Sequence, residues 1–309
     1  PLPKQPIGMT SKLSGLFPAV VILSGYHSIL SIYNKMHHMP EQIINDTLTT
    51  VEEYMNIFRV EKGYHGLSLF HLNRLLQHFR AELFRIGRLE YHMITFKNPI
   101  IVYRNKFDCQ EIALSQSGIR YRSDGHVDGT NNIYADDKHT WTSSFIETKK
   151  YIKGHPISTN GYARSHLISL IKNDWSCVLK EGDHVLGIHI PRKGQFTKEL
   201  CQDSIYQAKN FFHHYFPDKN FRAFVCVSWM LDPQLQSLLD ASSNIVRFQK
   251  MFNLYPVLSM DHTIYKFVYR CKPCKVEDLP ENTTLQRKIK NYMRSDGFMH
   301  TGGGYITFR

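Results

Sequence analysis

Three histidines and two acids occupy settings that suit acid–base or metal chemistry. His189 falls near the end of the run 184–190 (HVLGIHI). Strand alternation there puts Val185, Gly187 and His189 on one face, and Gly187 leaves space beside the imidazole. Such a histidine is either a general base or a core residue satisfied by a backbone carbonyl. Glu90, in the run 89–95 (LEYHMIT), can act as a base, orient His189, or simply pair with Arg85 or Arg88. His155 lies in Gly154-His155-Pro156, a loop setting of the kind that often carries binding or catalytic residues. His126 and Asp128, within Gly125–Gly129 (GHVDG), resemble half a metal site. No further ligand has matching spacing, so a solvated turn is expected and no metal is assigned.

The six cysteines carry less. Cys226 beside an imidazole could act as a nucleophile, but a small buried thiol packed near Phe224 is the simpler expectation. Cys271-Lys-Pro-Cys274 has CxxC spacing, yet no second pair follows and it opens no helix. It reads as a turn with two incidental thiols. The low cysteine density points to a reducing compartment and a cytoplasmic location.

The elements that must position these residues are legible in outline. Before residue 84 the apolar positions recur at three and four, in Ile43, Leu48, Val51, Tyr54, Met55 and Phe58, and again in Leu69, Leu72, Leu75 and Phe79. Gly63 and Gly66 separate these two helical runs. From Leu89 the period changes, and 89–95 and 99–104 read as strands. Residues 105–160 read as loops and short elements, and 162–171 as a short helix. Then come a strand at 184–190, a turn Pro191–Gln195, and a helix capped by Thr197 and stopped by Pro217. A strand at 222–230, a helical run to Phe252, strand-like segments 253–258 and 263–270, a helix 283–295 and a final strand Tyr305–Phe308 complete the chain. This order is that of an α+β or mixed α/β fold, with a helical subdomain over 1–83 and a second domain over 84–309.

Composition bounds the function. The chain has 309 residues, 42% hydrophobic and 21% charged, enough apolar side chain for a sizeable core. A net charge of +11 suits an anionic partner such as nucleic acid, a phosphorylated cofactor or a membrane surface. No apolar run is long enough to span a bilayer. Residues 16–30 could imitate a signal core, but no convincing cleavage site follows, and a start at Pro1 leaves room for a fragment or processed form. The basic run Arg287–Arg294, with Tyr292 and Phe298, would suit RNA but reads first as a solvated helix face.

Several segments together resemble a known family: 84–91 (FRIGRLEY), 153–161 (KGHPISTNG), 187–194 (GIHIPRKG), 202–217 (QDSIYQAKNFFHHYFP), 227–235 (VSWMLDPQL) and 242–252 (SSNIVRFQKMF). A looser match covers 284–306, where TLQRKIK leads to TGGGYI. The family is that of bacterial acyltransferase-domain proteins, with an N-terminal helical acyltransferase segment and a GNAT-like C-terminal domain. The resemblance covers nearly the whole chain and implies a GNAT-like mixed sheet flanked by helices. It also implies transfer of an acyl group from acyl-CoA or acetyl-CoA to an amine or hydroxyl of a small-molecule or peptide acceptor, with neither membrane nor nucleic acid as partner.

In that fold the fourth and fifth strands splay apart, and pantetheine lies in the gap. The resemblance places the splayed strands at 184–190 and 222–230. Ile190, Arg192, Lys193, Gly194 and Gln195 would then hold the pyrophosphate at a helix start, with Ser228 and Asn244 bonding pantetheine or protonating the thiolate. GNAT turns usually carry a longer glycine pattern; this one has a single glycine, and an ordinary basic turn is the alternative. GNAT enzymes also often place a glutamate on the fourth strand. None lies between His184 and Ile190, so the resemblance assigns the base to His189, with Glu90 and His155 as further catalytic candidates. A module that binds acyl-CoA without turnover is the alternative function, and a nucleic-acid binder a more distant one.

Overall fold

A computed structural model of the chain describes residues 11–25, 31, 39–259 and 263–308. Of the apolar stretch 16–30, residues 16–25 are described and 26–30 lie outside, as does Pro1. Among the described residues no helix is long and apolar enough to cross a membrane. The chain forms two compact units, each made of two stretches: residues 1–93 with 189–219, and 94–188 with 220–309. The change from helices to strands near residue 84 falls inside the first unit.

In the first unit, helices α1 (Ser11–Ser24), α2 (Glu41–Lys62) and α3 (Leu69–Phe79) precede a hairpin of β1 (Leu83–Ile86) and β2 (Leu89–Thr95). Helix α4 (Lys198–Tyr215) completes the unit. Their ends are specified locally. Gly63 closes α2 in the left-handed region at φ 78°, donating to Arg59 O. The Ser68 hydroxyl caps α3 by accepting from His71 N, and Thr197 caps α4 by accepting from Leu200 N. The hairpin pairs Phe84 with Tyr91 and Arg85 with Glu90.

Helix α4 lays Phe211 and Phe212 against Phe84, at 5.1 and 5.8 Å between ring centroids. The buried Ser204 hydroxyl serves three hairpin groups: it donates to Ile86 O, accepts from Leu89 N, and shares a 2.8 Å bond with Tyr91 Oη. A polar group so completely used adds register without leaving an unsatisfied atom in the core.

The second unit is rich in short strands. One sheet orders β11 (Trp175–Leu179), β3 (Ile100–Asn105), β4 (Glu111–Ser115) and β9 (Pro156–Ile157). Another orders β10 (Ile168–Ile171), β8 (Tyr151–Gly154) and β7 (Phe145–Glu147), and β5 (Arg120–Arg122) pairs with β6 (Thr140–Thr142). A mixed arrangement joins β12 (His184–His189), β13 (Ala223–Ser228), β15 (Gly302–Thr307) and β14 (Asn253–Pro256). There β12 and β13 are parallel, while β15 runs antiparallel to β13 and β14. Short helices α5 (Leu235–Leu238) and α6 (Asn244–Gln249) and the longer α7 (Thr284–Arg294) complete this unit.

The glycines of TGGGYI lie at the centre of this sheet. A Cβ on Gly302 would collide with the Leu231 carbonyl, and one on Gly303 with the Tyr255 ring.

Two local expectations differ from the structure. Residues 263–270, read as a strand, hold a π-helical turn over Tyr265–Tyr269. Ile264, Val268 and Tyr269 pack with Leu235, Leu279 and Ile289, and Gln286 Nε2 donates to Val268 O at 2.9 Å, so helical neighbours satisfy the segment. Residues 162–171, read as a short helix, end instead in β10, which pairs with β8 from Ile168↔Gly154 to Ile171↔Tyr151. The β8 edge supplies backbone partners that outweigh the weak helical pattern.

Candidate active site

In the first unit, one face of α3 carries His71, Arg74 and His78, spaced three and four apart. Alternation along β2 turns Glu90 and His92 the same way. The two sets meet: Arg74 Nη2 donates to Glu90 Oε2 at 3.2 Å, and His78 Nε2 lies 3.9 Å from Glu90 Oε1. His78 Nδ1 stands 2.8 Å from Leu83 O; a carbonyl can only accept, so Nδ1 carries the proton. Burial, with Arg74 adding repulsion, lowers the His78 pKa to about 3, so the contact with Glu90 is no ion pair at neutral pH. Glu90 is 3% exposed. Burial raises its pKa and Arg74 opposes the rise.

His189, the last residue of β12, has its ring 6.1 Å from that of His92 at 38° between planes. It keeps part of its surface exposed. Even so, the surrounding protein holds its pKa well below 6.5, through burial first and then the charge of Arg74, with the neighbouring His92 and His78 acting in the same direction. A neutral imidazole at ordinary pH can accept a proton.

The structure therefore gathers His189 and Glu90 around Arg74. The partner of Glu90 is not Arg85 or Arg88: Arg85 pairs with Glu53 at 2.8 Å, and Arg88 is used elsewhere. Arg74, His78 and His92 were not anticipated. Their signal was present in the helical spacing of His71, Arg74 and His78 and in the two-residue step from Glu90 to His92.

Arg88 shapes the turn that follows β12. Its Nε donates to Gln195 O at 2.7 Å and its Nη2 to Pro191 O at 2.9 Å, and its guanidinium lies 5.3 Å from the centre of the Phe196 ring. Between these anchors Arg192, Lys193, Gly194 and Gln195 are exposed. Gly194 adopts φ +95°, and a Cβ there would meet nothing nearer than Arg88 Nε at 4.0 Å. Arg192 lies 3.7 Å from Glu61. Half-buried Ile190 links the strand to this turn.

In the second unit, β12 and β13 stay in register only at Leu186↔Phe224 and Gly187↔Val225, with Arg222 N donating to His184 O at 2.9 Å just before them. The other edge of β13 remains paired with β15 throughout, from Ala223↔Thr307 to Ser228↔Gly302. Among the described residues, Cys226–Ser228 have no registered partner on β12. The two strands thus begin in register, and their pairing ends at Gly187 and Val225, before the carboxyl end of either.

Ser228, half-buried at the end of β13, accepts from Met230 N at 3.2 Å. Asn244 is exposed in the first turn of α6, where Ser243 is the cap. Cys226 is 2% exposed, and burial pushes its thiol up to about 12.

His155 belongs to the second unit and has its own surroundings. Its ring lies 4.7 Å from that of Trp141 at 38° between planes, Nε2 lies 3.5 Å from Ser144 Oγ, and Nδ1 lies 3.3 Å from Arg164 O.

A mixed sheet whose parallel neighbours part midway, followed by a basic strand-to-helix turn, defines a GNAT-like protein. The chain belongs to that family: residues 83–306 match the model of the GNAT-like C-terminal domain. A comparison with curated protein sequences returned no match. Among solved structures, one acyltransferase in complex with decanoyl-CoA is similar over 98% of this chain and 69% of its own, at 20% identity and a TM-score of 0.63. An acyltransferase complex with decanoyl-CoA and teicoplanin is similar over 96% and 67%, at 19% identity and a TM-score of 0.62. An acyltransferase complex with CoA and 10C-teicoplanin gives 18% identity over the same shares, with a TM-score of 0.62. At these identities the likeness establishes the fold.

Proposed function

We propose that this chain is an acyl-CoA-dependent acyltransferase that passes an acyl group directly to an amine or hydroxyl of a small-molecule or peptide acceptor. The observation that carries the reading is the parting of β12 and β13 after Gly187 and Val225, with Arg192 and Lys193 in the turn beyond. A pantetheine arm would lie where the registered pairing of the two strands ends. Arg192, Lys193, Gly194 and Gln195 suit a pyrophosphate in charge and in room, and Ile190, Ser228 and Asn244 are the further contacts assigned to the donor. The solved relatives were crystallised with decanoyl-CoA and with CoA, which agrees with a donor of this class.

His189 serves as the base in this reading. The acceptor nitrogen or oxygen attacks the thioester carbonyl and gives its proton to the imidazole. The new bond to carbon forms as the C–S bond breaks, and the thiolate leaves to be protonated. Glu90 helps by fixing Arg74, whose charge keeps His189 neutral. His155 is kept as an acceptor-side candidate.

The test is a panel of acyl-CoA donors from acetyl to decanoyl, with binding measured by calorimetry and turnover by thiol release on acceptor amines. Saturable binding is expected, and His189→Ala should lose rate by about 10²- to 10⁴-fold while keeping donor affinity. Absence of binding across the panel would overturn the proposal. The absence of an acid from β12 favours a second reading, a module that binds acyl-CoA without turnover. Donor binding with no thiol release on any acceptor would support that reading instead.

A further inference from the structure

We infer that His126, Asp232 and His300 form a divalent-metal site of the zinc class, separate from the residues assigned to acyl transfer. All three are buried, and one potential ligand atom from each lies within 4.8 Å of the others. They come from three segments of the second unit: the turn after β5, the turn after β13, and the lead into β15. Sequence spacing could not reveal the set, because its members are far apart in the chain. The earlier expectation for His126 was a solvated turn without metal.

The state of His126 points to a ligand. Its side chain is 10% exposed, and both ring nitrogens lack a hydrogen-bond partner among the described residues. Nδ1 stands 3.2 Å from Asp124 Oδ1. A proton on Nδ1 facing that carboxylate leaves the Nε2 lone pair for an ion. Metal-binding histidines are commonly oriented by a carboxylate in this manner.

Asp232 is fully buried. Its Oδ1 accepts from Gln234 N at 3.0 Å and its Oδ2 from His300 N at 2.6 Å, which orients the carboxylate without cancelling its charge. His300 Nδ1 lies 4.0 Å from Asp232 Oδ2. Arg122 Nη2 is 3.2 Å from Asp124 Oδ2, a carboxylate half open to solvent. Among the described residues the buried Asp232 forms no ion pair with Lys or Arg, and a buried carboxylate without such a partner favours a cation.

Two imidazoles with one carboxylate, leaving a fourth position for water, suit zinc-like ions better than calcium or magnesium, which prefer all-oxygen sets. Metal–ligand bonds of about 2.1 Å at tetrahedral angles put ligand atoms about 3.4 Å apart, so the cluster must contract slightly. The rings of His126 and His300 lie face to face, 4.1 Å between centroids and 20° between planes. One ring must swing edge-on for both to share an ion. The Gln234 amide, 2.5 Å from His300 Nδ1, must yield that nitrogen. The His300 proton then resides on Nε2, so Arg122, whose Nη2 is 3.2 Å from Nε2, moves wholly onto Asp124. The Arg122–His300 contact and the ion are therefore mutually exclusive.

The test uses the full chain stripped of metal and titrated with Zn²⁺ and with Co²⁺, following heat, Tm and the visible spectrum of cobalt. The expected result is one saturable site per chain, a higher Tm with Zn²⁺, and intense visible bands of tetrahedral Co²⁺. His126→Ala and His300→Ala should each weaken binding by about 10- to 100-fold or more, and Arg122→Gln should tighten it. Cys271→Ser with Cys274→Ser should leave it unchanged. The inference is overturned if the wild type shows no saturable site, if binding survives loss of both histidines, or if the cysteine variant abolishes it. The wild-type titration alone already decides, should a variant fail to fold.

Discussion

Gly187 and Val225 are the last residues at which β12 and β13 face one another in register, and Cys226 follows at once on β13. A thiol just past the end of that pairing invites an acyl-enzyme, but burial holds this one protonated, with its pKa near 12. Direct attack by the acceptor is thus favoured over a covalent route. Cys226→Ala should keep acyl transfer within about threefold of wild type, because only a packed thiol is lost. Intact-mass spectra during turnover should show no acylated chain. An acyl adduct that disappears in the variant would defeat direct transfer.

The basic turn makes a different kind of contribution. Arg192 and Lys193 are exposed in the turn proposed to hold the pyrophosphate, so their charge should act on donor binding rather than on the chemical step. Arg192→Ala with Lys193→Ala is expected to raise KM for acyl-CoA by about tenfold, equivalent to about 1.4 kcal/mol, with kcat little changed. The wild-type advantage should shrink as salt is added. A fall confined to kcat would show that the turn serves some other purpose.

Much of this site could be read from the chain, and the reasons differ from residue to residue. The Thr197 cap, the helix behind it and the strands on either side all announce themselves through local chemistry, and each stands where the sequence put it. Alternation set the face of His189 on its own strand, and the family resemblance gave it the role now proposed. Arg74 was not, because its importance comes from a contact with Glu90 sixteen residues later, across a helix and a hairpin. The segment 263–270 misled for a related reason: its β-branched and aromatic residues match a strand, while the packing that makes it helical comes from α7. Asp232 and His300 joined His126 only once the sheet brought the ends of β13 and β15 together.

Arg74 should set the acid limb of the activity profile. A general base must be neutral to work, and the guanidinium, after burial, is the largest influence holding the His189 pKa well below 6.5. Activity limited by this group should therefore fall only well below pH 6.5. Arg74→Gln removes the positive neighbour, favours the imidazolium, and should move the acid limb of kcat/KM upward toward 6.5. Profiles measured between pH 4 and 8 decide the matter, and an unmoved limb would remove Arg74 from this positioning role. Because the change also strips Glu90 of its partner, a fall in stability is expected alongside, and a melting curve separates that loss from the shift in the profile.

His78 makes acid stability testable by itself. Folded, its pKa is about 3, because burial and the Arg74 charge disfavour the imidazolium; unfolded, the ordinary value of about 6.5 returns. Between those values the unfolded chain takes a proton that the folded chain refuses. The stability associated with this depressed pKa is present above pH 6.5 and is lost as pH falls toward 3, by about 1.4 kcal/mol per pH unit where the difference is complete. His78→Asn offers an amide N–H in place of Nδ1–H for the bond to Leu83 O, and it does not titrate. Urea unfolding of both proteins at pH 7.5, 6, 5 and 4 should therefore give diverging curves, with wild type losing stability more steeply below pH 6.5. Other buried histidines contribute equally to both proteins and cancel in the difference. Parallel curves would mean that His78 is protonated in the folded state, and with it the account of a neutral imidazole between Leu83 and Glu90 would fail.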